Sequence, residues 1–341
     1  LSKSEIRVGL LAYGAIGDEH NQAVLATPGM VLTAVCDTNP ARLEAALAIA
    51  PAAKTFVDAT LMLDAGEIDL VVISTPPNSH YFWAKQALSR GINVVLEKPM
   101  ALTTEECDEL MALAASSGLL LVVYQNRRYD ADFVTIKSLI DAGEIGEVFH
   151  YESFVGGYAK PCSMWHSDIA VSGGAIFDWG SHFIDQILAT VSSPLQHVSG
   201  LNQKRVWNHV TNADHAQVTL TFSDGVLATF TNSDLAAARK PKFFILGTKG
   251  AIVGNWDPAA GAAVADLPAI LSLHREDGTI EIISHESVVP YSFHASLVSF
   301  INDGIAMLVT ATQSRDVVAI MQAAEESALA NGIPVAPTLL R

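Results

Sequence analysis

From Ile6 the first third of the chain alternates short runs of β-branched and aliphatic residues with stretches of helical periodicity, the pattern of βαβ units feeding a parallel sheet. Ile6 to Leu11 reads as a first strand. A helix through Glu19 to Ala26 stops before Pro28, and Val31 to Cys36 gives the second strand. A helix near Ala41 to Ile49, a short strand at Lys54 to Val57 and a buried strand at Leu70 to Ser74 follow. Ser79 to Arg90 is helical with Gly91 as its stop, and Ile92 to Leu96 is extended. Thr103 and Glu106 form a capping box for a helix running to Ser117, and Leu119 to Tyr124 completes the sheet.

After Tyr124 the texture changes. Phe133 to Asp141 and Ser181 to Val191 read as helices, but much of the remainder is alternating strand, as in His215 to Phe222, Val226 to Ser233, Phe243 to Leu246 and Thr279 to Ser284. Ser223-Asp224-Gly225 and Glu276-Asp277-Gly278 supply turns, and Ser314 to Asn331 is a last helix ended by Gly332 and Pro334. The fold class is therefore α/β: an N-terminal doubly wound parallel sheet over residues 1–124 and, over 125–341, an α+β domain on an open-faced, mostly antiparallel sheet. No low-complexity linker separates them, so the boundary near Gln125 is a change of topology.

Composition narrows the partners. Half of the 341 residues are apolar and 16% are charged, enough to fill the cores of about two domains. The formal charge of −16 argues against nucleic acid or an anionic membrane as partner, since both demand clustered Lys and Arg. No apolar run is long enough to span a bilayer, and Leu1 to Glu5 do not read as a secretory leader, so a cytoplasmic location is expected. Cys36, Cys107 and Cys162 are odd in number and widely separated, which fits neither a disulfide framework nor a cysteine zinc site.

The first strand runs into Ala12-Tyr13-Gly14-Ala15-Ile16-Gly17, a glycine loop with Ala in place of its first Gly. Gly14 allows close approach of a pyrophosphate, Gly17 lets the next helix pack on the strand, and the helix N-terminus offers N–H groups to phosphate. Ala12 substitutes for Gly if the turn there requires only negative φ. Asp37, twenty residues past Gly17 with Thr38 beside it, is placed to accept the ribose hydroxyls and repel a 2′-phosphate, favouring NAD. Arg42 is the counter-signal, since a nearby Arg accommodates the 2′-phosphate of NADP.

These features, with Thr75-Pro76-Pro77-Asn78-Ser79-His80, Glu97-Lys98-Pro99, Gly173-Gly174-Ala175, Asp178-Trp179-Gly180-Ser181-His182 and Ala323-Ala324-Glu325-Glu326-Ser327-Ala328, occur in an order and spacing that resembles the Gfo/Idh/MocA oxidoreductase family. The resemblance spans nearly the whole chain. It implies a Rossmann domain followed by an open-faced sheet domain used for oligomer contacts, with a homodimer or homotetramer as the expected assembly. Lys98, Asp178 and His182 match the family's catalytic positions, and the Lys98-Pro99 bond is expected to be cis. Ala12, Gly14, Ala15, Ile16, Asp37, Thr38, Arg42, Ser74, Thr75, Pro76, Asn78, His80, Glu97, Lys98 and Arg128 are the expected cofactor contacts. Tyr124-Gln125-Asn126-Arg127-Arg128-Tyr129 with Asp130 and Asp132 is similar to a subgroup containing scyllo-inositol dehydrogenases. The run from Tyr158 to Asp168 departs from that subgroup's arginine- and tyrosine-rich stretch; within it Lys160, Trp165 and His166 join Lys98, Asp178 and His182 as substrate-binding candidates.

Helical geometry can be read apart from the resemblance. At about 100° per residue, Asp178, Asp185 and Ala189 lie within roughly 60° of His182, while Ile184, Ile187, Leu188 and Val191 fall near the opposite side. A solvated polar face with Asp178 as N-cap would give the same spacing. In the catalytic reading His182 accepts the hydroxyl proton, Asp178 orients the imidazole or shares the proton, and Lys98 positions the hydroxyl and stabilises alkoxide character as hydride leaves. The expected substrate is a cyclic polyol, sugar or sugar derivative, with NAD or NADP as cofactor and no metal. A family variant that retains NAD for elimination or hydrolysis, and a nicotinamide sensor without turnover, remain alternatives.

Overall fold

A computed structural model of the chain describes residues 5–258 and 267–340. The stretch 1–5, read above for a leader, lies outside the described residues except for Glu5. The chain divides into two compact units, Leu1–Gln125 with Val289–Arg315 and Asn126–Val288 with Asp316–Arg341.

In the first unit β1 (Ile6–Leu11), α1 (Ala15–Ala26), β2 (Met30–Cys36), α2 (Pro40–Ile49), β3 (Lys54–Phe56), α3 (Ala59–Asp64), β4 (Leu70–Ile73), α4 (His80–Leu88), β5 (Asn93–Leu96), α5 (Thr104–Ser117) and β6 (Leu121–Val123) follow one another. The strands form one parallel sheet in the order β3-β2-β1-β4-β5-β6, which reverses direction beside β1. Leu10, Leu70, Val71, Ile73, Val94, Val95 and Leu96 are wholly buried, which explains why these strands are continuous aliphatic runs rather than alternating ones. The capping box at α5 forms in modified shape. Thr103 Oγ1 accepts from Glu106 N–H at 3.2 Å, but the Glu106 carboxylate accepts from Leu102 N–H, also at 3.2 Å, rather than from the Thr103 amide.

The pairing register sets the unit's working edge. Leu11 pairs with both Cys36 and Ile73, Ile73 with Leu96, and Leu96 with Val123. The next residue of each strand, Ala12, Asp37, Ser74, Glu97 and Tyr124, therefore stands in one row at the carboxyl edge. The ladder runs through that row, with Ala12 N–H on Cys36 O, Ser74 N–H on Leu11 O and Glu97 N–H on Ile73 O, at 2.8, 2.8 and 3.0 Å.

The second unit contains α6 (Ala131–Asp141), β7 (Val148–Gly156), the single turn α7 (Ile169–Ser172), α8 (Gly180–Thr190) and strands β8 (Leu195–Gln203), β9 (His215–Phe222), β10 (Leu227–Ser233), β11 (Phe243–Gly247), β12 (Gly250–Asn255), β13 (Ile270–Arg275) and β14 (Ile280–Ile283). The sheet order is β14-β13-β12-β11-β7-β10-β9-β8, antiparallel throughout except where β7 meets β10. On β9 Ala216, Val218, Leu220 and Phe222 are buried while the residues between them are half-exposed, so this sheet is open on one face. Against the closed face, Phe183 of α8 stacks on Phe230 with ring centroids 5.3 Å apart.

The helix α9 (Ser292–Asp303) corrects the sequence reading, which carried the second domain unbroken from 125 to 341. Residues 289–315 return to the first unit. Phe293 and Leu297, one turn apart on α9, are buried; the Phe293 ring meets the edge of Tyr124 at 4.8 Å, and a Cβ added at Gly29 would meet Val298 at 3.1 Å. The last helix, α10 (Ala311–Leu329), follows.

A buried ion pair ties the second unit together. Lys242 Nζ lies 2.8 Å from Asp132 Oδ2 and 3.0 Å from Leu267 O, and the same carboxylate oxygen accepts from Ala269 N–H at 2.8 Å. Removing only the cation strands a buried carboxylate, so Lys242→Met is expected to lower the unfolding free energy by about 3–5 kcal/mol in chemical denaturation. Adding Asp132→Asn is expected to restore part of that loss.

Candidate active site

The glycine loop begins with a departure from expectation. Ala12 has φ +73°, inside the left-handed region, so the turn does require the conformation that glycine adopts freely and Ala12 occupies it under strain. Its carbonyl explains Gly17: a Cβ there would sit 2.8 Å from Ala12 O. A Cβ at Gly14 would meet nothing within 4 Å. Gly14 is the N-cap of α1 and supplies no side-chain cap, leaving the first-turn N–H groups around Ala15 and Ile16 suited to an anion. The helix begins at Ala15, four residues before the predicted start.

Asp37 is buried at the end of β2. Its carboxylate accepts from Tyr13 N–H and Asn39 N–H, both at 2.8 Å, and from Arg42 Nη1 at 3.4 Å. It thus braces the glycine loop as well as occupying the expected ribose position, and the half-exposed Arg42 pairs with it. Thr38 is exposed next door. At the end of β4 the Ser74 hydroxyl is buried with no hydrogen-bond partner, an orphan donor on the edge where a ribose is expected. Thr75 Oγ1 accepts from Ser79 Oγ at 2.7 Å, and Asn78 is exposed in the 3-10 turn Pro77–Ser79, which begins just after Pro76. The open space at Gly14, the bare helix end and the Ser74 hydroxyl together fit a dinucleotide.

His80, expected among the cofactor contacts, is a core residue. Its ring nitrogens lie 2.7 Å from Pro99 O and 2.8 Å from Thr75 O, tying together the segments after β4 and β5. Burial, the larger influence, lowers its pKa below the ordinary histidine value against the pull of those two carbonyls. Glu97 is buried and Lys98 half-buried after β5, and the Lys98-Pro99 peptide is cis.

In the second unit Asp178 lies in the turn before α8, whose N-cap is Trp179, so the alternative in which Asp178 caps this helix does not hold. Nor is the helix a solvated polar face. His182, Asp185 and Gln186 are as buried as Ile184 and Ile187. Asp185 is satisfied by Arg128, whose guanidinium Nε bonds Asp185 Oδ2 and whose Nη2 lies 2.8 Å from Oδ1, both side chains buried. Arg128, expected among the cofactor contacts, is held in this forked pair. The Trp179 ring lies 5.9 Å from His182 and carries Arg127 over its face at 5.7 Å.

A cavity of about 240 Å³ opens among β7, β10 and the loops beside them, with Asp178, His166, Asn212, Asn232, Asp234, Trp179 and Trp256 in its wall. Of the substrate candidates in this unit, Asp178 and His166 line it, His166 stacked on Trp165 at 3.5 Å, while Lys160, Trp165 and His182 are outside the lining. The sequence reading missed Asn232, Asp234 and Trp256. Burial, then Asp214, pushes the Asp234 carboxyl up to about 6. For Asn232 and Asp234 the available signal was polar residues at the carboxyl end of a predicted strand, and Trp256 offered none.

A bare helix N-terminus over open glycine space, on the carboxyl edge of a doubly wound sheet, defines a dinucleotide-binding fold. Residues 6–125 match an oxidoreductase family with an NAD-binding Rossmann fold, and residues 133–253 match the GFO/IDH/MocA C-terminal domain. The uncharacterized oxidoreductase YdgJ of Escherichia coli is 31% identical over 250 residues, 73% of this chain and 70% of YdgJ. The scyllo-inositol 2-dehydrogenase (NADP(+)) IolW of Bacillus subtilis is 27% identical over 339 residues, 94% of this chain and 93% of IolW. The solved structure of yvaA from Bacillus subtilis superposes with a TM-score of 0.88 at 25% identity, covering 99% of this chain and 100% of that one. The chain belongs to the Gfo/Idh/MocA oxidoreductase family and is an NAD(P)-dependent enzyme. Among the described residues no helix is long and apolar enough to cross a membrane.

The two glycines separate a structural from a ligand-binding role. Gly14→Ala is expected to leave the melting temperature unchanged while weakening NADH by about tenfold, roughly 1.4 kcal/mol, in a fluorescence titration. Gly17→Ala is expected to lower both, because its Cβ collides with the Ala12 carbonyl.

Proposed function

We propose that the enzyme moves hydride between NAD and a secondary alcohol or ketone carbon of an uncharged cyclic polyol or sugar. The cavity in the second unit carries this reading: two indole walls suit the C–H faces of a ring, while Asp178, Asp234, Asn232 and His166 offer hydrogen bonds to several hydroxyls. Two carboxylates in that wall, on a chain of charge −16, disfavour a carboxylated sugar. Asp37 at the end of β2 supports NAD over NADP. The nicotinamide supplies the site that gives and takes hydride. His182 takes the hydroxyl proton, Asp178 orients the imidazole, and Lys98 holds the hydroxyl oxygen and stabilises its alkoxide character. The half-exposed sheet face, with Ile280 and Ile282 outward, is proposed to mediate a homodimer or homotetramer.

Formation of NADH from NAD or of NADPH from NADP, tested against scyllo-inositol, myo-inositol, glucose and gluconate, checks the reading. Turnover is expected with NAD and an uncharged member. Lys98→Ala and His182→Ala are expected to lower kcat by at least about 100-fold with NADH affinity retained. Wild-type turnover in both variants would overturn these roles.

The Asp234 carboxyl adds a pH test. Below about 6 it takes up its proton and one negative charge leaves the cavity wall. Gluconate binding is therefore expected to strengthen as pH falls through that value, with scyllo-inositol binding changing little. Asp234→Asn is expected to remove the dependence.

A further inference from the structure

We infer that His20 and His294 are positioning residues for Lys98, acting through Glu97, in the hydride transfer proposed above, on which this inference rests. The two imidazoles and the carboxylate form a chain inside the first unit. His20, on α1 and fully buried, places Nε2 3.0 Å from Glu97 Oε1 and Nδ1 3.1 Å from Nε2 of His294, itself fully buried on α9. Glu97 turns its other oxygen back on the main chain, accepting from Lys98 N–H at 3.2 Å. The contact that fixes the carboxylate thus also fixes the backbone from which the Lys98 side chain departs.

Neutral imidazoles give the chain a self-consistent direction. A carboxylate oxygen accepts, so His20 Nε2–H donates to Glu97; with both imidazoles neutral, His20 Nδ1 accepts from His294 Nε2–H. This leaves His294 Nδ1 as a bare acceptor, and that atom is buried without a hydrogen-bond partner. Burial, with His20 adding to it, holds the His294 pKa well below the ordinary histidine range, consistent with a neutral ring in this role. The Tyr124 ring closes over both imidazoles at 4.4 and 5.6 Å, and its hydroxyl donates to Glu19 at 2.8 Å. Packing alone is served as well by an aliphatic cluster, whereas a buried polar chain imposes orientation on each of its members. The member it orients adjoins the lysine proposed to hold the reacting oxygen.

The arrangement also gives a reason for the return of residues 289–315, since α9 brings the outer member of the chain. None of its three side chains is among the residues lining the cavity of the second unit. Their influence on the reaction runs through the position of Lys98.

The test uses the holoenzyme with scyllo-inositol, myo-inositol and glucose as substrates and compares removal with mimicry. His20→Phe and His294→Phe keep the bulk and remove the hydrogen bonds, whereas His20→Gln and His294→Gln keep a donor near the Nε2 position. The Phe variants are expected to bind NADH as the wild type does and to lose at least about tenfold in kcat. Each Gln variant is expected to recover most of that loss. Folded Phe variants that turn over at the wild-type rate would overturn the inference. So would Phe and Gln variants equally impaired, with kcat losses that follow their melting temperatures, since the chain would then serve packing only. A substrate-free readout keeps the two ideas distinguishable: a downfield imidazole N–H resonance is expected in the wild type and absent in His20→Phe. If it is present but no polyol reduces NAD, the hydride reading fails and takes the positioning role with it. If turnover occurs and the resonance is missing, only the positioning inference falls.

Discussion

The parallel register of the first sheet is the constraint on which the candidate site depends. Because Leu11 pairs with Cys36 and Ile73, and Leu96 continues the ladder, the next residue of each strand falls on a common edge. Edge hydrogen bonds reach past the strands into that row, so the residues there are held by the sheet and not by loop conformation alone. A one-residue slip in any strand would send its side chains to the opposite face. The aliphatic cores of β1, β4 and β5 therefore govern the site without facing a ligand.

The buried polar groups of each unit follow a different logic from the aliphatic ones. Lys242 with Asp132 and Arg128 with Asp185 are each buried at both ends, and in each pair the carboxylate receives more than one donor. Such pairs cost desolvation and do not imply great stability, but they allow few alternative packings. The same holds for His80 between two main-chain carbonyls. In both units the segments carrying candidate functional groups are held by polar contacts among buried atoms.

Much of this was legible in the sequence because it arises from local pattern. The runs Ile6–Leu11 and Leu70–Ile73, the glycine loop and the capping threonine at 103 announce themselves through periodicity and turn chemistry. Ala12 did not, since an alanine says nothing about a turn that forces positive φ. Asp185 looked like part of a polar face because its partner Arg128 lies 57 residues away. Asp234 acquires its character from burial and from Asp214 just before the neighbouring strand, neither of which a linear reading supplies. The helix α9 was not read from the sequence at all, and local pattern would be silent about which core its buried face completes.

The return of residues 289–315 to the first unit has a bearing on modularity. A nucleotide-binding half ending at Gln125 would lack the aromatic face that α9 sets against Tyr124. It would expose apolar surface there and leave His20 with one buried nitrogen facing solvent. This half is therefore not a contiguous cassette. Gene fusion or domain exchange cutting once, after the sixth strand, would carry away an unfinished piece, and recombination within this architecture has to respect two junctions.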